Sequence, residues 1–261
     1  SWFLQWNDVM RWLFQKPSNC RDWSSDQVVL PESRFDGALV EITGIRDCDY
    51  RSTTAFTVTP RDPVFDLAQL ERLDFFVEPF AGWRGPAHTF LSFGFEDGEQ
   101  LAISVEVRRE MGKEFCVLGG LTRQFELMYV VATERDLVGL RSVHRGNRVY
   151  RYPIRADADR VRKMMVAMLR RANRLRDRPE FYNTLSNTCT TNIVKHVNEV
   201  YPGRVPRAVA ILLPGLSPKL LHRKNLVKMN GTLEETMELS VIDERARSWD
   251  GESDFGEWIR S

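Results

Sequence analysis

The sequence is poor in cysteine, in net charge and in long apolar runs. Its 261 residues contain four cysteines and no Cys-x-x-Cys pair, too few for a small scaffold held together by disulfides. The longest apolar stretches, such as Val209–Leu213, are far shorter than the roughly 18 residues that a membrane-spanning helix requires. The net charge of +1 does not indicate a nucleic-acid partner. With 15 Phe, 7 Trp and 6 Tyr, the chain is apolar enough to fold as one large domain or two small ones.

Several common catalytic motifs are also absent. The sequence has no Gly-x-Ser-x-Gly elbow of a serine hydrolase, no Gly-x-x-x-x-Gly-Lys-Ser/Thr phosphate loop and no Gly-x-Gly-x-x-Gly dinucleotide fingerprint. No two cysteine or histidine residues have the spacing of a chelating pair on one turn, which argues against a zinc site. We therefore expect no metal and no cofactor. The remaining candidate for chemistry is a cysteine paired with a histidine.

The near-zero net charge hides a strong separation of charge along the chain. Arg141–Arg178 contains 13 basic and 3 acidic residues, a net charge of +10, whereas Thr232–Ser261 contains 3 basic and 9 acidic residues, a net charge of −6. One interpretation is a solvated basic helix face with the acidic tail folded back on it. The other is a basic surface that meets an anionic partner such as phospholipid headgroups. The sequence leaves both open.

Tryptophan is concentrated at the start of the chain, at Trp2, Trp6, Trp12 and Trp23. Apolar residues recur there at helical spacing as far as Leu13. This pattern predicts a short amphipathic helix, either docked on the core or lying in a membrane interface, where tryptophan is favoured. The chain begins without a signal peptide or an initiator methionine, so we expect targeting or anchoring segments upstream of it.

Strands are predicted mainly in the first half of the chain. Alternating apolar residues indicate strands at Ala38–Tyr50, Leu73–Val77 and Glu126–Thr133, and Asp66–Leu73 has the pattern of a short helix or turn. The clearest element is a hairpin over residues 88–108, because Asp-Gly lies between its two alternating segments.

Helices are predicted in the second half. Asp157 can cap a long helix with an apolar stripe of methionines and arginines on the opposite face. Residues 181–188 form a polar connection, and a further amphipathic helix begins near Cys189 and ends before Pro202. Strands followed by helices, without a long linker, predict a single α+β domain.

Cys189 is the candidate nucleophile because it stands at the predicted start of this last helix. The positive end of the helix dipole and the nearby backbone N–H groups favour a thiolate. The alternative is a buried structural cysteine. His196 lies two turns further along the same helix, about 10 Å away, which is too far to share a proton with the thiol. His144 and His222 have polar, arginine-rich neighbours and are expected at the surface.

His88 is the candidate base, because it opens the hairpin. If the turn holds an odd number of residues, the face opposite the apolar one carries His88, Ser104 and Glu106, with His88 across from Glu106. A carboxylate or hydroxyl beside an imidazole fixes its tautomer and stabilises the imidazolium. An even turn would instead place Val107 opposite His88. A histidine that merely packs near a strand start is the alternative.

These segments together resemble a known family. The stretches 88–95, 102–106 and Tyr182-Asn183-x-Leu185-x-Asn187-x-Cys189-Thr190-Thr191 are similar to the DUF4105 domain family, which is also described as the periplasmic domain of the Lnb type of bacterial lipoprotein N-acyltransferase. Residues 46–51 and 123–127 fit the same pattern, and the similarity extends over about residues 25–245. The order of histidine first and cysteine later is also similar to permuted NlpC/P60 papain-like proteins. Their acyltransferase relatives have an Asn-Cys pair, whereas Thr188 separates Asn187 from Cys189 here.

The resemblance implies thiol-based acyl transfer on a papain-like core, an antiparallel sheet packed on helices. Cys189 would attack an acyl ester of a phospholipid, with His88 as the base and Glu106 as the group that orients it. Asn187, Tyr182 and Ser104 would support these residues. The acyl chain would then pass to an amine such as the N-terminus of a lipoprotein. The resemblance further implies a periplasmic protein at a membrane surface, anchored in the inner membrane by segments outside this chain.

The predicted organisation is an amphipathic Trp-rich segment over residues 1–24, a Cys-His papain-like domain over residues 25–245 and an acidic tail over residues 246–261. Two alternative functions stay open. One is a papain-like cysteine amidase or peptidase, such as a cell-wall hydrolase, with water as the acceptor. The other is a non-catalytic module that binds lipid or peptide and in which Cys189 is structural. The sequence does not decide whether Cys20, Cys48 and Cys116 contribute to a disulfide.

Overall fold

The computed structural model describes residues 15–80, 86–206, 217–228 and 231–261. The helix expected as far as Leu13 lies outside these residues. The strands, in chain order, are β1 (Glu32–Asp36), β2 (Leu39–Thr43), β3 (Ile45–Tyr50), β4 (Phe56–Arg61), β5 (Val64–Asp66), β6 (Leu70–Pro79), β7 (Ala87–Phe95), β8 (Gln100–Arg108), β9 (Glu126–Ala132) and β10 (Tyr150–Pro153).

The strands form one large and one small sheet. The large sheet has seven strands in the order β10-β6-β7-β8-β9-β3-β4, and the small sheet has three in the order β1-β2-β5. Neighbouring strands run antiparallel, except that β3 and β9 are parallel. The two longest helices, Ala158–Asp177 and Cys189–Val200, follow the strands in the chain and pack on the large sheet. The α+β prediction is therefore confirmed.

The prediction of one continuous strand over Ala38–Tyr50 is wrong, because Gly44 divides it into β2 and β3, which belong to different sheets. Gly44 has φ +75°, a backbone conformation that favours glycine, and a Cβ there would lie 2.9 Å from Val29 Cγ1. The alternating pattern does not reveal this break. The short helix or turn predicted at Asp66–Leu73 is a single helical turn over Leu67–Gln69, capped by Asp66, and β6 already begins at Leu70.

The helices in chain order are α1 (Val117–Leu121), α2 (Glu134–Gly139), α3 (Ala158–Asp177), α4 (Cys189–Val200), α5 (Ser217–Arg223), α6 (Leu233–Leu239), α7 (Asp243–Arg247) and α8 (Phe255–Trp258), and a short π-helix, Leu140–His144, follows α2. The predicted cap of α3 is confirmed, because the Asp157 carboxylate accepts the Arg160 N–H at 2.9 Å. Thr188 and Thr191 form a capping box at the start of α4. The predicted polar connection occupies the residues between these two helices.

Both faces of the central hairpin are buried. The predicted apolar face, which includes Leu91, Ile103 and Val105, packs with the apolar stripes of α3 and α4 in one core cluster. The opposite face carries Phe90 and Ala102 in a second cluster, which is covered by α2 and by residues from the C-terminal helices. The central strands are therefore largely apolar on both sides, apart from the buried Ser92 and from the N-terminal end of β7, where polar side chains replace the apolar ones.

The ends of the described chain are tied to this core. Trp23 is buried, and the Arg108 guanidinium lies 4.2 Å from the centre of its ring. In the acidic region, the Arg151 N–H donates to the Ser240 carbonyl at 2.8 Å, so this region packs against β10. Arg260 holds the chain end to the core through two buried carboxylates. The predicted boundaries at residues 24 and 245 stay predictions. Within the described ranges, no helix has the length and apolar character needed to cross a membrane.

Candidate active site

The hairpin places the candidate base next to its predicted carboxylate. In the ladder between β7 and β8, Phe90 pairs with Ser104 and Gly94 with Gln100. The Phe95 N–H donates to the Glu99 carbonyl at 3.0 Å, which leaves a three-residue turn at 96–98. The turn therefore holds an odd number of residues, which is the condition for His88 to lie across from Glu106. The prediction that these side chains share a face is confirmed, and His88 Nε2 lies 3.8 Å from Glu106 Oε1.

Ser104 bridges the two residues. Its Oγ lies 2.7 Å from His88 Nε2 and 2.9 Å from Glu106 Oε1. An ionised carboxylate only accepts hydrogen bonds, so the Ser104 hydroxyl donates to Glu106 and accepts from His88. The proton of a neutral His88 is therefore on Nε2, and Nδ1 is the basic nitrogen. The carboxylate thus fixes the tautomer through a hydroxyl rather than by direct contact.

Arg141 keeps the Glu106 carboxylate ionised. Burial alone would raise the pKa of Glu106, but the charges of Arg141 and Arg46, followed by that of His88 and the Ser104 hydrogen bond, together hold it well below its usual range. Arg141 Nη2 donates to Glu106 Oε1 at 2.9 Å. The same guanidinium lies 3.0 Å from the buried Glu78 carboxylate. Arg141 is itself 3% exposed, so this arginine belongs to the interior rather than to a solvated basic face.

Cys189 is the first residue of α4, and its side chain is buried against the same end of β7. Burial would raise the pKa of its thiol. A hydrogen bond and the charge of His88, a hydrogen bond from the Thr89 backbone N–H and one from Thr190 outweigh this effect and lower the pKa to about 6. Because His88 Nε2 is already bonded to Ser104, Nδ1 is the ring nitrogen left to face the thiol. The arrangement is a thiolate beside a histidine of fixed orientation.

The site opens into a cleft of about 290 Å³. Cys189, His88 and Glu106 all line this cleft, so the sequence-predicted nucleophile, base and orienting carboxylate lie together. Apolar side chains and four arginines make up much of the remaining wall. The cleft is therefore large enough, and polar enough on one side, to admit part of a substrate next to the thiol.

The predicted supporting residues have different positions. Tyr182 lines the cleft, and burial followed by the charge of Cys189 raises the pKa of its phenol, which stays protonated. Asn187 stabilises the loop before α4 instead, because its Nδ2 donates to the Phe181 carbonyl at 3.0 Å and its Oδ1 accepts from Asn192 at 2.9 Å. None of the hydrogen bonds found for Asn187 within the described ranges reaches the thiol.

Sequence reasoning missed two groups of this site. The sequence shows Arg141 only as part of a basic stretch, whereas the structure buries it between two carboxylates. The Thr89 side chain, whose Oγ1 lies 3.2 Å from Thr190 Oγ1, couples β7 to the first turn of α4. No signal in the sequence identified Arg141, because it contacts a residue 35 positions away. The family-like segments did contain both threonines.

The other cysteines and histidines are not part of this cluster. All four cysteines are free thiols, so the structure contains no disulfide between Cys20, Cys48 and Cys116. His196 is buried on α4 and pairs through Nε2 with Tyr129 at 2.9 Å and through Nδ1 with Glu199 at 3.2 Å. In the portions of the chain that the structure covers, no group of three or more His, Cys, Asp and Glu side chains is arranged to hold a metal ion.

Comparison with known proteins gives one family. The model of the Lnb N-terminal periplasmic domain matches residues 62–215, more than half of the chain. The matched range contains His88, Ser104, Glu106 and Cys189, and it is shorter than the range of about 25–245 expected from the sequence. No curated protein and no solved structure matches, so the papain-like core stays a hypothesis. The chain belongs to the family of Lnb N-terminal periplasmic domains.

Proposed function

We propose that this domain is a thiol-dependent acyltransferase that acts at a bacterial membrane surface. The observation that carries the proposal is the buried Cys189 thiol, whose pKa of about 6 makes it a thiolate at neutral pH beside His88. A cysteine with no chemical role has no need of a histidine oriented through a buried hydroxyl, carboxylate and arginine. We also propose a papain-like core for the domain, in which a cysteine at a helix start packs against a histidine on a strand.

The proposed reaction has two acyl transfers. The Cys189 thiolate attacks the ester carbonyl of a phospholipid, and backbone N–H groups at the start of α4 stabilise the oxyanion. The C–O bond breaks, the lysophospholipid oxygen takes a proton from His88, and an acyl thioester remains on the enzyme. The amine of a lipoprotein N-terminus then attacks the thioester, His88 accepts its proton, and the C–S bond breaks. The amide leaves and the thiolate is restored.

An apolar cavity beside the nucleophile favours an acyl donor over a peptide. Thr190, the residue after Cys189, borders a cavity of about 120 Å³ whose lining differs from that of the charged cleft. Its wall is formed by aliphatic side chains of the sheet and of α4, including Leu91, Ile193 and Val194. A saturated chain gains about 0.8 kcal/mol for each methylene that it buries. We propose that the acyl chain of the thioester extends past Thr190 into this cavity.

Exposed aromatic side chains around the cleft support the proposal that the enzyme acts at a membrane surface. Phe80 and Phe115 line the cleft and are 56% and 42% exposed, which leaves two aromatic rings at its mouth open to solvent. Aromatic rings are favoured at the boundary between headgroups and acyl chains. The family is one of periplasmic domains, so a membrane surface is within reach of the proposed enzyme. Anchoring in the inner membrane, through segments outside this chain, is part of the same proposal.

A product assay tests the proposed function. The protein is incubated with vesicles of phosphatidylglycerol and phosphatidylethanolamine and with a diacylglyceryl-cysteine lipopeptide, and mass spectrometry measures N-acylated lipopeptide and lysophospholipid. We expect both products in equal amounts, and we expect Cys189→Ala and His88→Ala to abolish both. Lysophospholipid and free fatty acid without N-acylated peptide would contradict transfer to an amine.

The same assay separates the alternatives. Peptidoglycan fragments replace the two lipids in a parallel reaction, and the release of new amino groups is measured. Amine release that depends on Cys189, without any acyl product, would replace the proposal with a cysteine amidase. If neither the unaltered protein nor Cys189→Ala forms a product from any of these substrates, only a binding module is left.

A further inference from the structure

Four arginines line the active-site cleft, and two of them form close ion pairs with carboxylates of the protein. Arg46 donates from Nε and Nη2 to the Asp136 carboxylate at 3.0 and 2.7 Å. Arg141 is divided between Glu78 and Glu106. Both of these guanidinium groups are almost completely buried, and their function is to hold the interior together.

The other two, Arg109 and Arg145, have no comparable partners. The Arg145 guanidinium lies 3.9 Å from Glu78, a carboxylate that already binds Arg141 and the Asn147 amide. The Arg109 guanidinium lies 3.6 Å from Asp26. Neither guanidinium donates a hydrogen bond to any residue within the described ranges, although each carries five N–H donors.

The arginines are also the outermost charges of the cleft. The side chains of Arg145 and Arg109 are 40% and 32% exposed, whereas those of Asp26 and Glu78 are 10% and 0% exposed. A ligand that enters the cleft therefore meets guanidinium groups before it meets carboxylates. Planar guanidinium groups bind phosphate oxygens with paired hydrogen bonds, and they lose little hydration in doing so.

We propose that Arg109 and Arg145 form a subsite for the phosphodiester of the acyl donor. Both line the same cleft as Cys189, and a glycerol unit separates the phosphodiester of a phospholipid from its nearest ester carbonyl. Binding the phosphate at the arginines would place that ester beside the thiolate. The identity of the donor rests on the proposed function, whereas binding to the subsite can be measured without any transfer.

The binding test uses the thiol as the reporter. The pH midpoint of Cys189 alkylation by iodoacetamide is measured with glycerophosphoglycerol, a soluble phosphodiester, and with glycerol as the control. A bound anion close to the thiolate opposes it, so we expect the phosphodiester to raise the midpoint by about one pH unit. The double variant Arg109→Gln, Arg145→Gln should lose this shift. Arg148→Gln, an exposed arginine three positions from Arg145 and outside the cleft wall, should retain it.

Three results of the binding test would overturn the subsite. The first is the same midpoint with and without the phosphodiester. The second is a shift that persists in the double variant. The third is an equal shift with acetate, because the site would then accept any oxyanion. A shift with inorganic phosphate alone would assign the site to free phosphate and would overturn the lipid source.

The transfer test measures specificity. Turnover of phosphatidylglycerol is compared with turnover of diacylglycerol carrying the same acyl chains in the same neutral detergent. We expect Arg145→Gln to reduce the preference in kcat/KM for the phospholipid about tenfold, mainly through KM, and Arg145→Lys to reduce it less. An unchanged preference would contradict the proposal. If no donor is turned over but the midpoint shifts, the subsite stands and the proposed function fails. If acyl transfer occurs but the alkylation midpoint does not shift, the proposed function stands and the subsite fails.

Discussion

The reactivity of Cys189 gives the sharpest prediction. His88 is changed to Ala, which removes the hydrogen bond and the charge that lower the thiol pKa to about 6, while the burial that raises it remains. The pKa should return to its ordinary range near 9 or above it, a change of about three units, or roughly 4 kcal/mol between the two protonation states. At pH 7 the thiolate fraction would fall from about nine-tenths to about one-hundredth.

The assay is alkylation by iodoacetamide from about pH 5 to about pH 9, followed by mass spectrometry of each cysteine-containing peptide. We expect a midpoint near 6 for Cys189 in the unaltered protein, and a roughly 100-fold slower reaction at pH 7 in His88→Ala. Cys48 is the internal comparison, because burial and Asp136 raise the pKa of its thiol to about 12. His222→Ala, which changes a histidine bonded to the Gly231 carbonyl, is the matched control.

The sign of the pH dependence follows from the same values. The thiolate is the charged and nucleophilic form, so reactivity is present above pH 6 and declines as the pH falls through that value. A Cys189 midpoint above about 8 in the unaltered protein would refute the reasoning. So would an unchanged midpoint in His88→Ala, because the thiol would then not depend on the imidazole.

Three further predictions concern stability and specificity. Arg260→Ala removes the partner of the buried Glu134 carboxylate and leaves the Asp74 carboxylate with Arg151 alone. It should lower the free energy of unfolding by about 3–5 kcal/mol in urea titrations, whereas the exposed control Lys163→Ala should cost no more than about 0.5 kcal/mol. Equal effects of the two variants would contradict this account. Arg141→Met should also lower the free energy of unfolding by about 3–5 kcal/mol, and it should raise the alkylation midpoint of Cys189. An unchanged midpoint would show that Glu106 does not act on the thiol through His88. Val194→Trp fills the apolar cavity and should shift the donor preference towards shorter acyl chains. Competition between donors of different chain length measures this preference. An unaltered preference would mean that the acyl chain does not bind in this cavity.

Local sequence signals predicted much of the site. Period-two alternation and an Asp-Gly turn predict the hairpin, its apolar face and the position of His88 and Glu106 on one face, because a β-strand presents every second side chain on one face. The polar residues before Cys189 predicted the start of α4, where Thr188 caps the helix. Both features depend on neighbours in sequence, which is why the pattern alone contains them.

The parts that the sequence did not predict depend on distant contacts. The break at Gly44 follows from the transfer of the chain between two sheets, which the alternating pattern of residues 38–45 does not show. Arg141 is buried between Glu78 and Glu106, which belong to different strands, and a count of charges along the chain does not reveal these ion pairs. The alternation predicts that Ser104 and Glu106 share a face of β8. It does not predict that Ser104 lies between His88 and Glu106, because this contact depends on the diagonal geometry of the strand pair.

The central claim is that Cys189 carries the acyl chain during the reaction. The most direct measurement is mass spectrometry of the protein quenched in acid shortly after mixing with phosphatidylglycerol vesicles in the absence of an amine acceptor. We predict a mass increase of one acyl chain on the peptide that contains Cys189, removed by hydroxylamine and by subsequent addition of the lipopeptide amine, and absent in His88→Ala. Formation of N-acylated lipopeptide by the same protein with no acyl group ever detected on Cys189 would contradict the account.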